Sequence, residues 1–398
     1  MTGTPASIRA QRTRPRWRRV LAAQESGLIV VIALMMLGLT LATESIRRPH
    51  FVAPSPGGSL TSVEGGWVLK GADGREKKYA AADGYELLDS GGEPRLRRFV
   101  MVNKFLNKEN LVGVATVSSF IAIMAVGMSG IIISGGIDLS VGSIYALAAV
   151  AGAFAMQALG PGASLAVALP IGLLVCCGVG ALCGAANGSV VVGLRVHPFI
   201  VTLGGMAIYR GLAFVTTQGQ SIGDFPSALT LGFFKKTMGG VNPVPMIFMV
   251  VIAVAGAVVL RHTVFGRRTF AIGGNETAGR YAGIPVGRTK IMLFTIAGLL
   301  AGLAALMRLG YYGAVASDAG QGYELDVIAA AVVGGASLSG GRGSAFGAML
   351  GAVVIQLIEN GIVVLGIDSN YKLIIVGMAI VVAVVVDQAK QRLTAGRG

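Results

Sequence analysis

The chain has 398 residues, of which 54% are apolar and only 13% charged, and its mean hydropathy is +0.71. So greasy and charge-poor a composition excludes an ordinary soluble globular protein and belongs in a bilayer. The formal net charge of +14 does not point to nucleic acid, because the basic residues fall in short stretches beside apolar segments and form no amphipathic or aromatic-interleaved surface.

Arg9, Arg12, Arg14, Arg16, Arg18 and Arg19 precede an apolar run over residues 27–43. The combination looks like a secretory or twin-arginine signal. The run is long enough to span and no small-x-small cleavage site follows, so residues 1–26 read as a basic cytoplasmic N-terminus and 27–43 as an uncleaved first transmembrane helix. Residues 44–110 form a polar insertion, punctuated by Pro54-Ser55-Pro56-Gly57-Gly58, Asp73-Gly74, Asp83-Gly84 and Ser90-Gly91-Gly92. Within it Gly66-Trp67-Val68-Leu69-Lys70, then Ala72-Asp73-Gly74 and Lys77-Lys78-Tyr79, predict a hairpin and hence a small β-rich cap. The insertion is either a contact surface for an external partner or a tolerated loop insertion.

Further apolar stretches able to cross about 30 Å of hydrocarbon lie near residues 111–133, 142–159, 164–186, 244–260, 291–308, 344–366 and 371–387. Two shorter or interrupted ones, near 198–216 and 325–338, each follow a polar or proline-containing break. The expected fold is an all-α polytopic membrane protein with about ten transmembrane helices, including broken or short ones, and a small extracytoplasmic β-rich insertion. The transmembrane core covers 111–387. Lys and Arg accumulate in cytoplasmic loops, and the loop 261–290 has Arg261, Arg267, Arg268, Arg280, Arg288 and Lys290 against Glu276 alone. Lys390, Arg392 and Arg397 mark the tail, 388–398, as cytoplasmic too. An even count of crossings puts both termini inside, eight as well as ten, and Lys235 and Lys236 in an outer loop go against the rule.

Gly180, Gly184 and Gly188, then Gly298 and Gly302, then Gly343, Gly347 and Gly351 form four-residue glycine ladders. Each marks a close helix contact, within one subunit or across a dimer. Cys176, Cys177 and Cys183 share one apolar run and read as small buried side chains. The chain contains no phosphate-cradling Gly-x-x-x-x-Gly-Lys-Ser/Thr loop, so energy must come from elsewhere. Neither a catalytic constellation nor a metal-spaced cluster appears, which argues against an enzyme.

The chemistry-bearing features are breaks in helices. Ser134-Gly135-Gly136-Ile137-Asp138-Leu139-Ser140-Val141-Gly142-Ser143 interrupts an apolar stretch running from Leu111 to Met156. Irregular backbone at membrane depth is tolerated only when buried in protein or lining a cavity, where half-helix N-termini can face a polar solute. Ser134, Asp138 and Ser140 are therefore candidates for a translocation path or gate. A structural alternative is that Asp138 caps a helix beginning near Leu139.

Similar breaks occur at Arg195-Val196-His197-Pro198, where Pro198 suits a first helical position and Phe199 follows, and at Gly322-Tyr323-Glu324-Leu325-Asp326. Ionisable groups beside spans, here Glu324 and Asp326, are functional candidates by default, although capping selects the same residue types. Asn187, Gln356, Glu359 and Asn360 are polar groups in apolar helices. Helix–helix hydrogen bonding accounts for them, and Asn187 is also a path candidate. In the loop 261–290, Asn275 can cap a short helix carrying Glu276, Thr277, Ala278, Arg280 and Tyr281, closed by Gly283 with Pro285 beyond. This is either a docking element or a solvated basic loop.

Three stretches carry a family resemblance: SGGIDLSVGSIYALAA (134–149), NGSVVVGLRVHPFIVTLGGMAIYRGLA (187–213) and FGRRTFAIGGNETAGRYAGIPVGRTKI (265–291), the last leading to ELDVIAAAVVGGASLSGGRGSAFGAMLGAVVI (324–355). Over roughly 105–387 the chain resembles the ribose/galactose/xylose-type permease subunits of bacterial ATP-binding-cassette importers. The resemblance implies a multi-pass homodimer in the inner membrane that binds no cofactor itself. It implies a cytoplasmic ATPase partner that holds ATP and magnesium, and an extracytoplasmic binding protein that delivers a monosaccharide. It also implies that the short helix of 261–290 fits a groove on the ATPase, with Arg267, Asn275, Glu276, Ala278 and Gly283 in the coupling loop. Glu276-Thr277-Ala278 departs from the family's usual Glu-Ala-Ala, and the insertion at 49–105 replaces a short connection. The competing classes are an ion-coupled secondary transporter, with a site among Asp138, Glu324, Asp326 or Glu359, and a scaffold or channel.

Overall fold

The computed structural model describes residues 24–54, 58–90, 93–368 and 370–395. The arginines at positions 9–19, the turn residues Ser55, Pro56, Gly57, Gly91 and Gly92, and Arg397 lie outside them. The chain divides into two compact bodies, a helical one (Met1–Met36 and Val112–Gly398) and a smaller one over Leu37–Leu111.

The helical body contains α1 (Gln24–Ala42), α2 (Lys108–Ile133), α3 (Val141–Leu159), α4 (Leu165–Gly193), α5 (Pro198–Thr217), α6 (Pro243–His262), α7 (Val264–Gly274), α8 (Glu276–Tyr281), α9 (Val286–Tyr312), α10 (Tyr323–Val333), α11 (Ala345–Val364) and α12 (Tyr371–Ala395). Without water to serve the backbone, apolar segments satisfy their own amides by becoming helices. Among the described residues, eight helices are long and apolar enough to cross a membrane, while α12 contributes a shorter apolar piece, Tyr371–Val382. The stretch near 198–216 is not interrupted: α5 is continuous over 20 residues, because Pro198 opens it and no breaker follows. The stretch near 325–338 is an 11-residue half-helix, α10, ended at Gly334.

The glycine ladders are contacts within the chain. A Cβ on Gly180 would overlap the Gly298 carbonyl oxygen, one on Gly184 that of Phe294, and one on Gly302 that of Cys176. Helices α4 and α9 therefore meet backbone to backbone, which only small residues allow. Gly347 and Gly351 do the same for α10 and α11, against the carbonyls of Gly334 and Ala330.

Two breaks meet inside this body. The first joins α2 to α3, and the second joins α10 to α11 through residues 334–344. The Gly341 amide donates to the Ile133 carbonyl at 2.8 Å. Gly273, in the last turn of α7, lies against the same two atoms so closely that a Cβ there would overlap the Ile133 oxygen. The segment carrying α8 is thus in direct contact with the junction of the two breaks.

In the smaller body, β1 (Ser45–Val52), β2 (Ser59–Val63), β3 (Gly66–Lys70), β4 (Glu76–Ala80), β5 (Tyr85–Ser90) and β6 (Glu93–Asn103) form two antiparallel sheets, ordered β1-β6-β5 and β2-β3-β4. The hairpin read from Gly66 onward is β3–β4, with Lys70 opposite Glu76 and Trp67 opposite Tyr79. Ser45 pairs with Asn103, so the insertion leaves the first sheet where it joined it. The Asn103 side chain fastens this point, donating to the carbonyls of Thr40 and Thr43 and accepting from the amides of Phe105 and Leu106.

Candidate functional site

The first break is built around Asp138, Ser140 and Asn187, all buried. Asp138 Oδ1 accepts from the Ser140 amide at 2.8 Å and from the Ser140 hydroxyl at 2.5 Å. Asn187, from α4, donates to Ser140 Oγ at 2.8 Å, and the Tyr209 hydroxyl of α5 donates to Asn187 Oδ1 at 3.0 Å. The Leu139 amide donates to Thr202 Oγ1 at 3.1 Å. The irregular backbone is therefore served by side chains of two neighbouring helices, as buried polar groups require. Asp138 does not cap the helix in the expected way: α3 begins at Val141, and Asp138 satisfies the amide of Ser140 just before it. Ser134 ends α2, its hydroxyl turned back to the Ile131 carbonyl at 2.8 Å.

The other path candidates separate. Glu324, in the first turn of α10, reaches the first turn of α3, where a Cβ on Gly142 would overlap its Oε2. Asp326 is held in a charge cluster, with Lys372 Nζ 3.2 Å from its carboxylate and 2.5 Å from that of Glu359. These three join α10, α11 and α12. Phe199 is 44% exposed and takes no part in the Asp138 cluster.

In the loop 261–290, Asn275 Oδ1 accepts from the Ala278 amide at 2.9 Å, an N-cap on α8. Gly283 takes φ +77°, a left-handed conformation that suits glycine as the chain turns toward Pro285. Glu276 bridges Arg280 at 2.8 Å and Lys290 of α9 at 2.6 Å. Burial works against its charge, yet the hydrogen bonds from Lys290 and Arg280 outweigh that and hold the Glu276 carboxyl below its ordinary range. Arg195, His197, Glu276, Arg280 and Lys290 line an open groove of about 670 Å³ beside α8. Arg267 and Ala278 are exposed, and Tyr281 stands out at 89% exposed.

Thr202, Tyr209, Arg210 and Arg308 are polar participants that the sequence reading passed over. The two arginines had a usable signal, since each is a lone cation inside an apolar stretch. Thr202 and Tyr209 had none, because single hydroxyl residues on an apolar helix are unremarkable.

Among the described residues, eight helices long and apolar enough to cross a membrane, with breaks between helices stitched together by buried side chains, define a polytopic membrane protein. Residues 110–384 match the family described as branched-chain amino acid transport system / permease component, and the chain belongs to that family. It is similar to the ribose import permease protein RbsC of Escherichia coli (strain K12), with 39% identity over 289 residues, 72% of this chain and 88% of that one. RbsC of Bacillus subtilis (strain 168) is 40% identical over 288 residues, covering 72% and 87%. The D-allose transport system permease protein AlsC of Escherichia coli (strain K12) is 36% identical over 284 residues, covering 71% and 85%. No solved structure matches the chain. The chain is an ATP-binding-cassette importer permease, as the three sequence stretches led one to expect.

Proposed function

We propose that this chain passes a monosaccharide across the bacterial inner membrane by alternating access. Two copies frame the path, a cytoplasmic ATPase pair holding ATP and magnesium binds the loop 261–290, and an extracytoplasmic binding protein delivers the sugar. The relatives named for ribose and D-allose support a pentose or hexose as cargo. Ten crossings, counting α10 and α12, leave both termini inside and the residue 44–110 insertion outside. The ion pair of Glu25 with Arg261, at 3.1 Å, supports this by bringing the start of α1 to the basic loop.

The observation that carries the mechanism is the contact of Gly273 with the Ile133–Gly341 junction. A push on α8 by the ATPase travels through the last turn of α7 into both breaks, whose short connections can change while the helices stay intact. Asn275 keeps α8 formed, and Glu276 ties it to α9 through Lys290. Asp138, Ser140 and Asn187 hold the first break in shape, and Glu324 stands where the half-helix α10 meets α3.

The test is uptake of a labelled sugar panel into proteoliposomes containing this chain, with the ATPase and the binding protein each supplied or omitted. Uptake of one sugar that needs all components and internal ATP supports the proposal. Uptake by this chain alone, driven by a proton or sodium gradient, overturns it in favour of a secondary transporter.

A further inference from the structure

We propose that a cavity between α3, α9 and residues 313–322 is a subsite for one neutral, polyhydroxylated solute, with Arg308 and Tyr145 supplying hydrogen bonds and tyrosine rings the apolar walls. The proposal rests on the reading that this chain conducts a monosaccharide.

The cavity has a volume of about 230 Å³ and is lined by Tyr145, Ser221, Arg308, Tyr312, Val315 and Asp318, among others. It is smaller than the ~300–1,000 Å³ of drug-sized sites, so it admits a single small solute. Its walls combine the two features that recognise a sugar: flat apolar faces for C–H surfaces and convergent donors for hydroxyls.

Tyr145 and Tyr323 approach with ring centroids 5.4 Å apart. The Arg308 guanidinium lies 5.1 Å over the Tyr312 ring and 5.8 Å over the Tyr323 ring. The ring faces carry partial negative charge and so stabilise the cation without neutralising it. Arg308 donates a hydrogen bond to the Tyr323 hydroxyl at 2.6 Å, and its guanidinium also lies beside the Tyr145 hydroxyl. Among the described residues no carboxylate forms an ion pair with it. A guanidinium has five N–H donors in a fixed fork, so several remain for a guest.

Tyr145 points to a guest as well. Its side chain is fully buried, and its hydroxyl makes no hydrogen bond of acceptable geometry even though the Arg308 guanidinium lies beside it. A buried hydroxyl left unpaired is costly, and a sugar hydroxyl in the cavity would satisfy it.

The cavity has a roof as well as walls. Ile222 and Val315 form an isolated antiparallel bridge, each amide donating to the other's carbonyl at 2.9 Å. Arg210 of α5 pins the same segment, donating to the Ala319 carbonyl at 2.7 Å. The charged groups on the walls, Arg308 and Asp318, balance one another, so the lining carries no net charge and favours a neutral guest.

The experiment uses the complete transporter in proteoliposomes, with Ala316→Cys in the cavity wall and Cys176, Cys177 and Cys183 replaced by Ala. The rate of maleimide labelling at position 316 is followed with D-ribose, D-allose, D-galactose or D-xylose at millimolar concentration, with gluconate as the anionic comparison. The expected result is that a transported neutral sugar slows labelling at least threefold and that gluconate does not.

Tyr145→Phe, which removes only a hydroxyl, should lower uptake about three- to tenfold, and Arg308→Ala at least about tenfold. Both should abolish protection while keeping binding-protein-stimulated ATP hydrolysis. Arg308→Lys, which keeps the charge and loses the fork, should fall between wild type and Arg308→Ala. Sugar uptake by the wild type with no protection, and with both variants unaffected, overturns the subsite and leaves the importer reading standing. Protection by gluconate in place of sugars overturns the neutral class. No uptake of any sugar by the complete wild-type transporter overturns both readings.

Discussion

Replacing Gly273 with alanine tests the link between the loop and the breaks at a single atom. A Cβ at this position would overlap the Ile133 carbonyl oxygen and lie 2.6 Å from the Gly341 nitrogen, the two atoms joined by the hydrogen bond that holds the breaks together. Separating them leaves a buried donor and acceptor unpaired, at about 1–3 kcal/mol. Forcing a methyl into a filled space adds about 1–3 kcal/mol, so Gly273→Ala should destabilise by roughly 2–6 kcal/mol. Gly274→Ala is the control, because a Cβ there meets nothing within 4 Å. Its only expected effect is the gain of up to about 1 kcal/mol in helix propensity. Thermal unfolding of the purified variants and the ratio of sugar imported to ATP hydrolysed are the assays. Gly273→Ala should lower both, and Gly274→Ala should lower neither. Indistinguishable behaviour of the two variants would refute the contact as a coupling element.

Asn275→Ala removes the α8 cap, worth about 0.5–2 kcal/mol of local helix stability. ATP-driven uptake should fall while global melting barely moves, and Asn275→Ser should restore uptake. Lys372→Met strands the carboxylates of Asp326 and Glu359, and breaking such a buried cluster costs about 3–5 kcal/mol. Its thermal stability should drop sharply and recover in part when Asp326→Asn and Glu359→Gln are added. Because the folded pKa of Glu276 is depressed, its stabilisation is present above the unfolded value and is lost as pH falls through the folded one. With 37% of its side chain exposed, solvent screening limits its stability contribution to about 1 kcal/mol or less. Melting of the wild type and Glu276→Gln should therefore differ by a small constant amount from pH 5 to 8 and converge only below about pH 4.

The positions of the spans were legible because a bilayer turns composition into structure: a run without charges has little alternative to a helix. The break at Ser134-Gly135-Gly136 was legible for the same reason in reverse, whereas Gly334-Gly335, where α10 ends, fell inside the stretch 325–338 that the sequence offered as one span. What the breaks touch was not legible. Asp138, Ser140 and Asn187 were all singled out, yet nothing in the order of residues says that Asn187 reaches Ser140 across 47 positions. Asp326 and Glu324, two residues apart, face opposite directions from one half-helix and serve different purposes. The glycine ladders were read as contacts with an undecided partner. Only the packing makes Gly180 and Gly298 each other's neighbours.

That packing also restricts how the molecule can move. Where a Cβ would collide with a facing carbonyl, as along α4 and α9, two helices cannot slide without one backbone climbing over the other. The pair α10 and α11 is locked in the same way by Gly347 and Gly351. Conformational change is therefore expected in segments between the locked helices: the connections from α2 to α3 and from α10 to α11, the segment 313–322 leading into α10, and the turn around Gly273. The two connections and the turn meet at the Ile133 carbonyl, and the segment 313–322 covers the cavity beside Arg308. A transporter that alternates access needs a place to push and a place to open, and in this chain rigid glycine-lined helices separate the two.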